Sequence, residues 1–270
     1  MKKLLVLACL LVIGLTGNAF AGSKIEIKGS TTVFPIMQKA IEAYMAKHPD
    51  VSISLSGGGS SNGIKALLDN TTDIAMASRD MKGKEHDLAK KKGIDPVRLV
   101  VARDAVAAIV NPANPVKALS SAQLKDIYAG KITNWKEVGG NPGRIAVISR
   151  DSSSGTFETW QHLIMQKKTK VTPMALMQAS SGAVLQTVGK NKYAISYDGL
   201  GYVDNTVKAL IVDGVAPTAT TAKDGSYPVS RSLFVFTNGA PKGEVKSLLD
   251  FLMGPEGQKL VAEAGFVPVK

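Results

Sequence analysis

A chain of 270 residues, with 33 lysines and arginines against 22 acidic residues and a formal charge of +11, has length for two packed cores and a surplus of positive charge that suits an anionic partner. Its single cysteine, Cys9, excludes a disulfide framework, and its three histidines form no cluster with metal-ligand spacing. The densest basic run, Lys82 to Lys92, contains no aromatic side chain to stack on bases, which argues against nucleic acid as the partner.

Residues 1–21 read as an export signal. Lys2 and Lys3 form a basic start, Leu4 to Leu15 an apolar stretch, and Ala19-Phe20-Ala21 a small-x-small site that predicts cleavage after Ala21 and export. The apolar stretch falls short of the ~20 residues a membrane span needs.

From Lys24 onward, strand-like and helix-like stretches alternate, the pattern of an α/β fold with mostly parallel sheets. Lys24 to Lys28 is predicted as a short strand. Gly29-Ser30-Thr31-Thr32 follows it and opens a helix with Pro35 near its start and Val33, Ile36, Met37, Ala40, Ile41 and Tyr44 on one face. Val51 to Leu55 alternates as a second strand. The loop from Ser56 to Gly63 then leads into a helix marked by Ile64, Leu67 and Leu68. Thr72 to Ala77 is a third strand and Leu99 to Val110 a long apolar one. Asn111-Pro112-Ala113-Asn114-Pro115 breaks the pattern and predicts a crossing between domains, with a second near Asp204-Asn205.

The strand-like run Arg144 to Ile148 leads into the richest stretch of the chain, Ser149-Arg150-Asp151-Ser152-Ser153-Ser154-Gly155-Thr156. After it, Phe157, Trp160, Leu163 and Ile164 recur at helical spacing. The first N–H groups of a helix lack internal partners and carry the positive end of the dipole, so such a loop is built to hold an anion. Arg150 adds a two-pronged set of donors suited to an oxyanion. Each Ser/Thr start, taken singly, is explained by helix capping. Three strand–Ser/Gly–helix junctions in one chain instead predict a shared site, because helices that follow parallel strands point their N-termini at one edge of the sheet.

Catalytic readings lack parts. Ile64 stands where a P-loop needs lysine, and Ser152 to Thr156 has no Gly-x-Ser-x-Gly elbow. A phosphatase-like hydrolase would need a nucleophile paired with a base or a metal, and the residues supply neither. A carrier for a tetrahedral oxyanion fits best, with phosphate, sulfate, molybdate and tungstate all open on these grounds.

Gly29 to Pro35, Gly59 to Gly63, the Ala77-Ser78-Arg79 turn, Tyr128 to Gly140, Arg150 with Ser154-Gly155-Thr156, Ala194 to Tyr197 and the closing Pro255 to Pro268 occur in an order that resembles the periplasmic phosphate-binding proteins, the substrate-binding subunits of high-affinity phosphate ABC transporters. The resemblance implies a two-lobed, type II periplasmic-binding-protein fold with the ligand in the cleft between lobes. It implies one discontinuous lobe from 22–108 and 206–270, and a second from 109–205. It further implies inorganic phosphate as ligand, a membrane permease as partner, a monomer, no cofactor and no catalysis. Carried over by position, the ligand set is Ser30, Thr31, Thr32, Ser60, Arg150, Ser154, Gly155 and Thr156. Arg79 and Ser152 join the set at positions where the family pattern has carboxylates. One of those carboxylates accepts the proton that phosphate carries and sulfate lacks; Arg79 cannot. Asp80 and Asp151 are the nearest acids in sequence.

Overall fold

The computed structural model describes residues 24–270, so the expected export signal and Cys9 lie outside the described residues. In chain order the elements are β1 (Lys24–Gly29), α1 (Phe34–Lys47), β2 (Ser52–Gly57), α2 (Ser60–Leu68), β3 (Ile74–Ala77), α3 (Gly83–Lys92), β4 (Pro96–Val110), β5 (Ala118–Leu119) and α4 (Ser121–Tyr128). They continue with β6 (Ala146–Arg150), α5 (Gly155–Leu163), β7 (Leu176–Gln178), α6 (Ser181–Lys190), β8 (Ala194–Gly199), β9 (Lys208–Ala209) and β10 (Ile211–Val212). The last are α7 (Ala219–Asp224), β11 (Ser230–Asn238), α8 (Gly243–Met253) and α9 (Pro255–Glu263).

One nine-stranded sheet runs through the described residues in the order β2-β1-β3-β11-β4-β8-β6-β7, with β9 also on β4. It is mixed rather than mostly parallel: β11 runs antiparallel to β3 and β4, and β8 antiparallel to β4. The 15-residue β4 carries the sheet from one half to the other. Val101 and Ala102 pack into one core with Ile25, Ile36, Leu233 and Leu248, whereas Ala105, Val106 and Val110 pack into another with Tyr128, Trp160 and Tyr197. Smaller clusters cover the opposite faces, around Leu67 and Phe236 in the first half and around Ile109 and Val188 in the second. Each half is therefore a sheet with apolar cover on both sides, as expected where helices follow parallel strands.

The crossings between halves differ from the expected ones. On β4 the change of core falls at residues 103–105, before the Asn-Pro break. On the return it falls at 230–232, because Leu210, Val212, Ala222, Tyr227 and Val229 pack with the second core. Asn111 to Pro115 is a turn inside the second half: Asn111 donates from Nδ2 to the carbonyls of Val188 and Gly189 at the end of α6. Turn chemistry was legible there, but a proline-rich turn inside a domain looks the same in sequence as one between domains.

The sheet order places two strands at reversal points. β1 lies between β2 and β3, and β6 lies between β7 and β8. Crevices open beyond the carboxyl ends of such strands. The loops that follow β1 and β6 are the ones that carry Thr31 and Arg150.

Candidate anion-binding site

Four helices start at this crevice. Each follows a strand through a short Ser/Gly loop: α1 after β1, α2 after β2, α5 after β6 and α6 after β7. The loops are folded by their own glycines and hydroxyls. Gly29 has φ of +138°, and a Cβ there would lie 2.2 Å from the Met76 carbonyl oxygen, so no other residue fits. The Ser30 hydroxyl accepts the N–H groups of Thr32 and Val33 at 3.2 and 3.4 Å, and Ser154 accepts that of Phe157 at 3.2 Å. Of these two serines, both expected as ligand groups, Ser154 is the N-cap of α5 and Ser30 holds the turn that precedes α1. In these bonds both hydroxyl oxygens accept, so each keeps its own O–H to donate, and the first N–H groups of α1 and α5 remain without intrahelical acceptors.

Arg150 is the centre of the arrangement. Only 1% exposed, it ends β6. Nε donates to the Gln178 carbonyl at 3.1 Å, Nη1 to the Ser181 hydroxyl at 3.1 Å, and Nη2 to Thr31 Oγ1 at 3.1 Å and the Ala179 carbonyl at 3.2 Å. Its one acidic neighbour, Asp198, keeps Oδ2 3.9 Å from Nη1. Thr31 belongs to the first half and Arg150 to the second, so this contact spans the crevice. So does Thr32 Oγ1 with Thr156 Oγ1, at 2.9 Å. Ser60 Oγ lies 3.2 Å from Ser78 Oγ and accepts the Ser78 N–H at 3.0 Å. Against this pair comes Gly155: a Cβ there would sit 2.4 Å from Ser60 Oγ and 2.6 Å from Ser78 Oγ. Ser61 N donates across to the Ser153 carbonyl at 3.0 Å, and Ser153 Oγ to the Gly58 carbonyl at 3.1 Å. The halves are closed on one another.

Thr31, Thr32, Ser60, Arg150, Gly155 and Thr156 thus share one place. Arg79 and Ser152 do not belong to it. The Arg79 guanidinium forks onto both oxygens of Glu85 at 2.8 Å, and its Nε lies 3.0 Å from Glu158 of the other half. Burial works against the charged form of Arg79, but the two glutamates outweigh it and raise its pKa. Two carboxylates leave no donor set free for an anion, so Arg79 is a tie between halves. Ser152 points outward at the turn tip and is exposed. The neighbouring acids are also occupied: Asp80 pairs with Arg98 at 2.5 Å, and Asp151 holds the N–H and hydroxyl of Ser153.

Sequence reasoning missed Ser181, Asp198, Asp104 and Arg231. For Ser181 the signal existed, since Gln178-Ala179-Ser180-Ser181-Gly182 is a fourth strand–Ser–helix junction. The other three are isolated charges in or beside apolar strands, with no local pattern. Arg231 bonds Asp104 Oδ2 through Nε at 2.9 Å and Thr156 Oγ1 through Nη1 at 3.1 Å. Burial pushes the carboxyls of Asp104 and Asp198 up from their ordinary value, with the arginines acting in the opposite sense. Arg231 is thus paired closely with its own carboxylate, whereas Arg150 bonds only hydroxyls and carbonyls and has Asp198 at 3.9 Å.

A sheet split into two separately packed halves, with helix N-termini from both halves meeting at its two reversal points, defines a two-lobed α/β binding protein of the type II periplasmic-binding-protein fold. A family model described as the PBP superfamily domain matches residues 16–256, and the chain belongs to that family. It is 33% identical over 258 residues to the phosphate-binding protein PstS of Bacillus subtilis, covering 94% of this chain and 83% of that one. To the PstS of Borreliella burgdorferi it is 31% identical across the full length of both chains. Among solved structures, a phosphate ABC transporter substrate-binding protein with bound phosphate from Clostridium perfringens superposes with a TM-score of 0.85 at 40% identity, covering 92% of this chain and all of that one.

Proposed function

We propose that this protein captures inorganic phosphate between its lobes and delivers it to the membrane permease of an ABC transporter. The carrying observation is the convergence of four helix N-termini on one buried arginine whose partners are mostly neutral. A dianion leaving water loses strong hydration, and burial is tolerable only if nearly every oxygen finds a donor. The N–H groups of Gly155 and Thr156, at the first positions of α5, have no intrahelical acceptor. With the hydroxyls of Thr31, Thr32, Ser60 and Thr156 and the Arg150 guanidinium, they supply donors from both lobes. Such a site is complete only when the lobes meet, so ligand and closure favour each other. The names of the relatives, and the phosphate held by the Clostridium perfringens structure, support the choice of this anion.

The protein works as an exported, periplasmic monomer; the leader-like first 21 residues support export. The lobes hinge where β4 and β11 change cores, at 103–105 and 230–232. The three histidines lie at the surface, and no cluster of metal-ligating side chains occurs among the described residues, so nothing beside the cleft favours the hydrolase reading.

Thermal unfolding with added anions tests the assignment. Phosphate at 100 times its Kd adds ~2.7 kcal/mol, a rise in Tm of about 5–10 °C for a protein of this size. A larger rise with molybdate or tungstate at equal concentration, or none with phosphate, overturns it.

A further inference from the structure

The chain from Thr159 to Tyr197 holds five lysines and no acidic residue. Within it fall the three most exposed large apolar side chains of the described residues: Met174 at 70%, Leu176 at 54% and Met177 at 48% exposure. Leu163, at the end of α5, is exposed as well. Lys167, Lys168 and Lys170 lie between Leu163 and Met174 and are all exposed. None of the three takes part in an ion pair among the described residues.

This segment is anchored to the second lobe. Ile164 and Met165 are buried in its core, the Thr172 N–H donates to the Tyr128 carbonyl at 2.8 Å, and β7 pairs in parallel with β6. Gln166 and Lys167 both take positive φ, 55° and 58°, an uncommon turn for residues with a Cβ, and the lysines follow from it into solvent. β7 ends the sheet, so one side of it has no strand partner.

Single exposed apolar side chains need no explanation, but a cluster beside charge of one sign marks an interaction surface. Its composition selects the partner. A nucleic acid would need stacking rings, and residues 163–177 contain no aromatic side chain. Protein partners are held mostly by Trp, Tyr and Arg, with lysine depleted, and these residues contain none of those three. A second copy of the chain would set lysines against lysines. A bilayer with anionic headgroups matches both parts of the surface: lysines attract the headgroups, and leucine and methionine tips enter the boundary with the acyl chains. The other lysine-rich segment, α3, has Glu85 and Asp87 among its lysines and exposes one large apolar side chain, Leu88.

We propose that residues 163–177 dock the protein on an anionic lipid membrane, with Lys167, Lys168 and Lys170 on the headgroups and Met174, Leu176 and Met177 in the interface. The surface borders the cleft, because β7 ends at Gln178, whose carbonyl takes Arg150 Nε at 3.1 Å. Adsorption through it holds the second lobe at the bilayer and leaves the first free to hinge. A carrier kept there meets a membrane permease at a raised effective concentration. The docking goes beyond the phosphate reading and does not depend on it, since no residue of the surface belongs to the anion site.

The test is vesicle sedimentation of the exported form from Gly22 on, which contains all the described residues. Saturating phosphate keeps lipid headgroups out of the cleft. The wild type is expected to bind vesicles of equal parts phosphatidylglycerol and phosphatidylcholine at ~0.05 M salt and to ignore pure phosphatidylcholine. It should come off at ~0.5 M salt, where the Debye length shrinks to about 4 Å. A lysine beside an anionic surface strengthens adsorption about fivefold, so Lys167→Gln, Lys168→Gln and Lys170→Gln combined should weaken it ~100-fold. Met174→Ser, Leu176→Ser and Met177→Ser combined should weaken it about tenfold. Lys84→Gln, Lys90→Gln and Lys91→Gln on α3 remove the same charge and should leave binding within about twofold. All three variants are expected to keep wild-type phosphate affinity in calorimetry, which also shows that they fold. Equal losses from the α3 variant and the Lys167 variant would make adsorption a matter of net charge and overturn the proposal. So would a wild type that binds neither vesicle, and so would dimers in solution that the serine variant abolishes. A wild type that binds the anionic vesicles but not phosphate sinks the phosphate reading alone.

Discussion

Two arginines, Arg150 buried and Arg79 half-buried, reach across the same lobe boundary, and their partners make them opposites. Arg79 leaves the first lobe and meets Glu158 on α5, with Glu85 bound in two-pronged fashion behind it. Arg150 leaves the second lobe and meets Thr31, with its remaining donors on Ser181 and two carbonyls. Carboxylates at 2.8–3.0 Å neutralise the first guanidinium completely. Hydroxyls and carbonyls satisfy the second in geometry while leaving most of its charge uncancelled, the one carboxylate standing off at 3.9 Å. A guanidinium given to glutamates ties lobes together. One given to neutral oxygens is kept for an anion that can displace or join them.

Removing Arg150 should have the largest effect. Arg150→Ala is expected to abolish measurable phosphate binding, since charge-assisted hydrogen bonds contribute roughly 1.5–3 kcal/mol each and this side chain makes several. The change also strips buried Asp198 of its neighbouring cation, and breaking a buried pair in this way costs about 3–5 kcal/mol of stability. Arg150→Lys restores the charge without the fork and should recover part of the stability but little of the affinity. Calorimetry and thermal unfolding on both variants read the two effects separately. Normal phosphate affinity in either variant would mean that Arg150, like Arg79, is only a tie.

Gly155→Ala attacks closure and leaves both arginines intact. The added methyl would stand 2.4 Å from Ser60 Oγ and 2.6 Å from Ser78 Oγ, atoms that face it only when the lobes are shut. With an ordinary helical backbone at the start of α5, the residue tolerates alanine in the open form. Affinity should fall by about 100-fold, the ~2.7 kcal/mol scale of a core overpacking penalty, while the Tm of the ligand-free protein changes little. Small-angle scattering should then report a more open ligand-free form than wild type. Unchanged affinity would show that the lobes close around phosphate less tightly than the contacts of Gly155 require.

How far the sequence revealed this pattern depends on whether the signal was local. The strands from Lys24 and Ser52, the helices that follow, and the loops at Thr31, Ser60 and Thr156 were legible because hydrophobic period and turn chemistry act over a few residues. The fourth junction at Ser181 was legible in kind and was passed over. The return of residues 206–229 to the second lobe left no local trace, since only packing of Tyr227 and Val229 against that core decides it. Nor could sequence tell Arg79 from Arg150. Glu85, six residues on, was visible, but Glu158 reaches Arg79 only through the fold.

That tie yields the smallest effect and a pH signature. Burial alone would raise the Glu85 pKa, but its hydrogen bonds from Arg79 and the Lys82 N–H outweigh burial and hold it below the ordinary 4.5. A carboxyl lowered in the folded state adds stability above that ordinary value and loses it as pH falls through the folded one. Wild type should therefore lose stability as pH falls below that ordinary value, and Glu85→Gln, weaker at pH 7, should lose less over the same fall. Arg79→Ala is expected to weaken phosphate binding only about tenfold, a cost of ~1.4 kcal/mol, through a less favoured closed state. Its ratio of phosphate to sulfate affinity should match wild type, because a tie between lobes touches neither anion. A changed ratio would place Arg79 back in the ligand set, with the distinction between the two arginines gone.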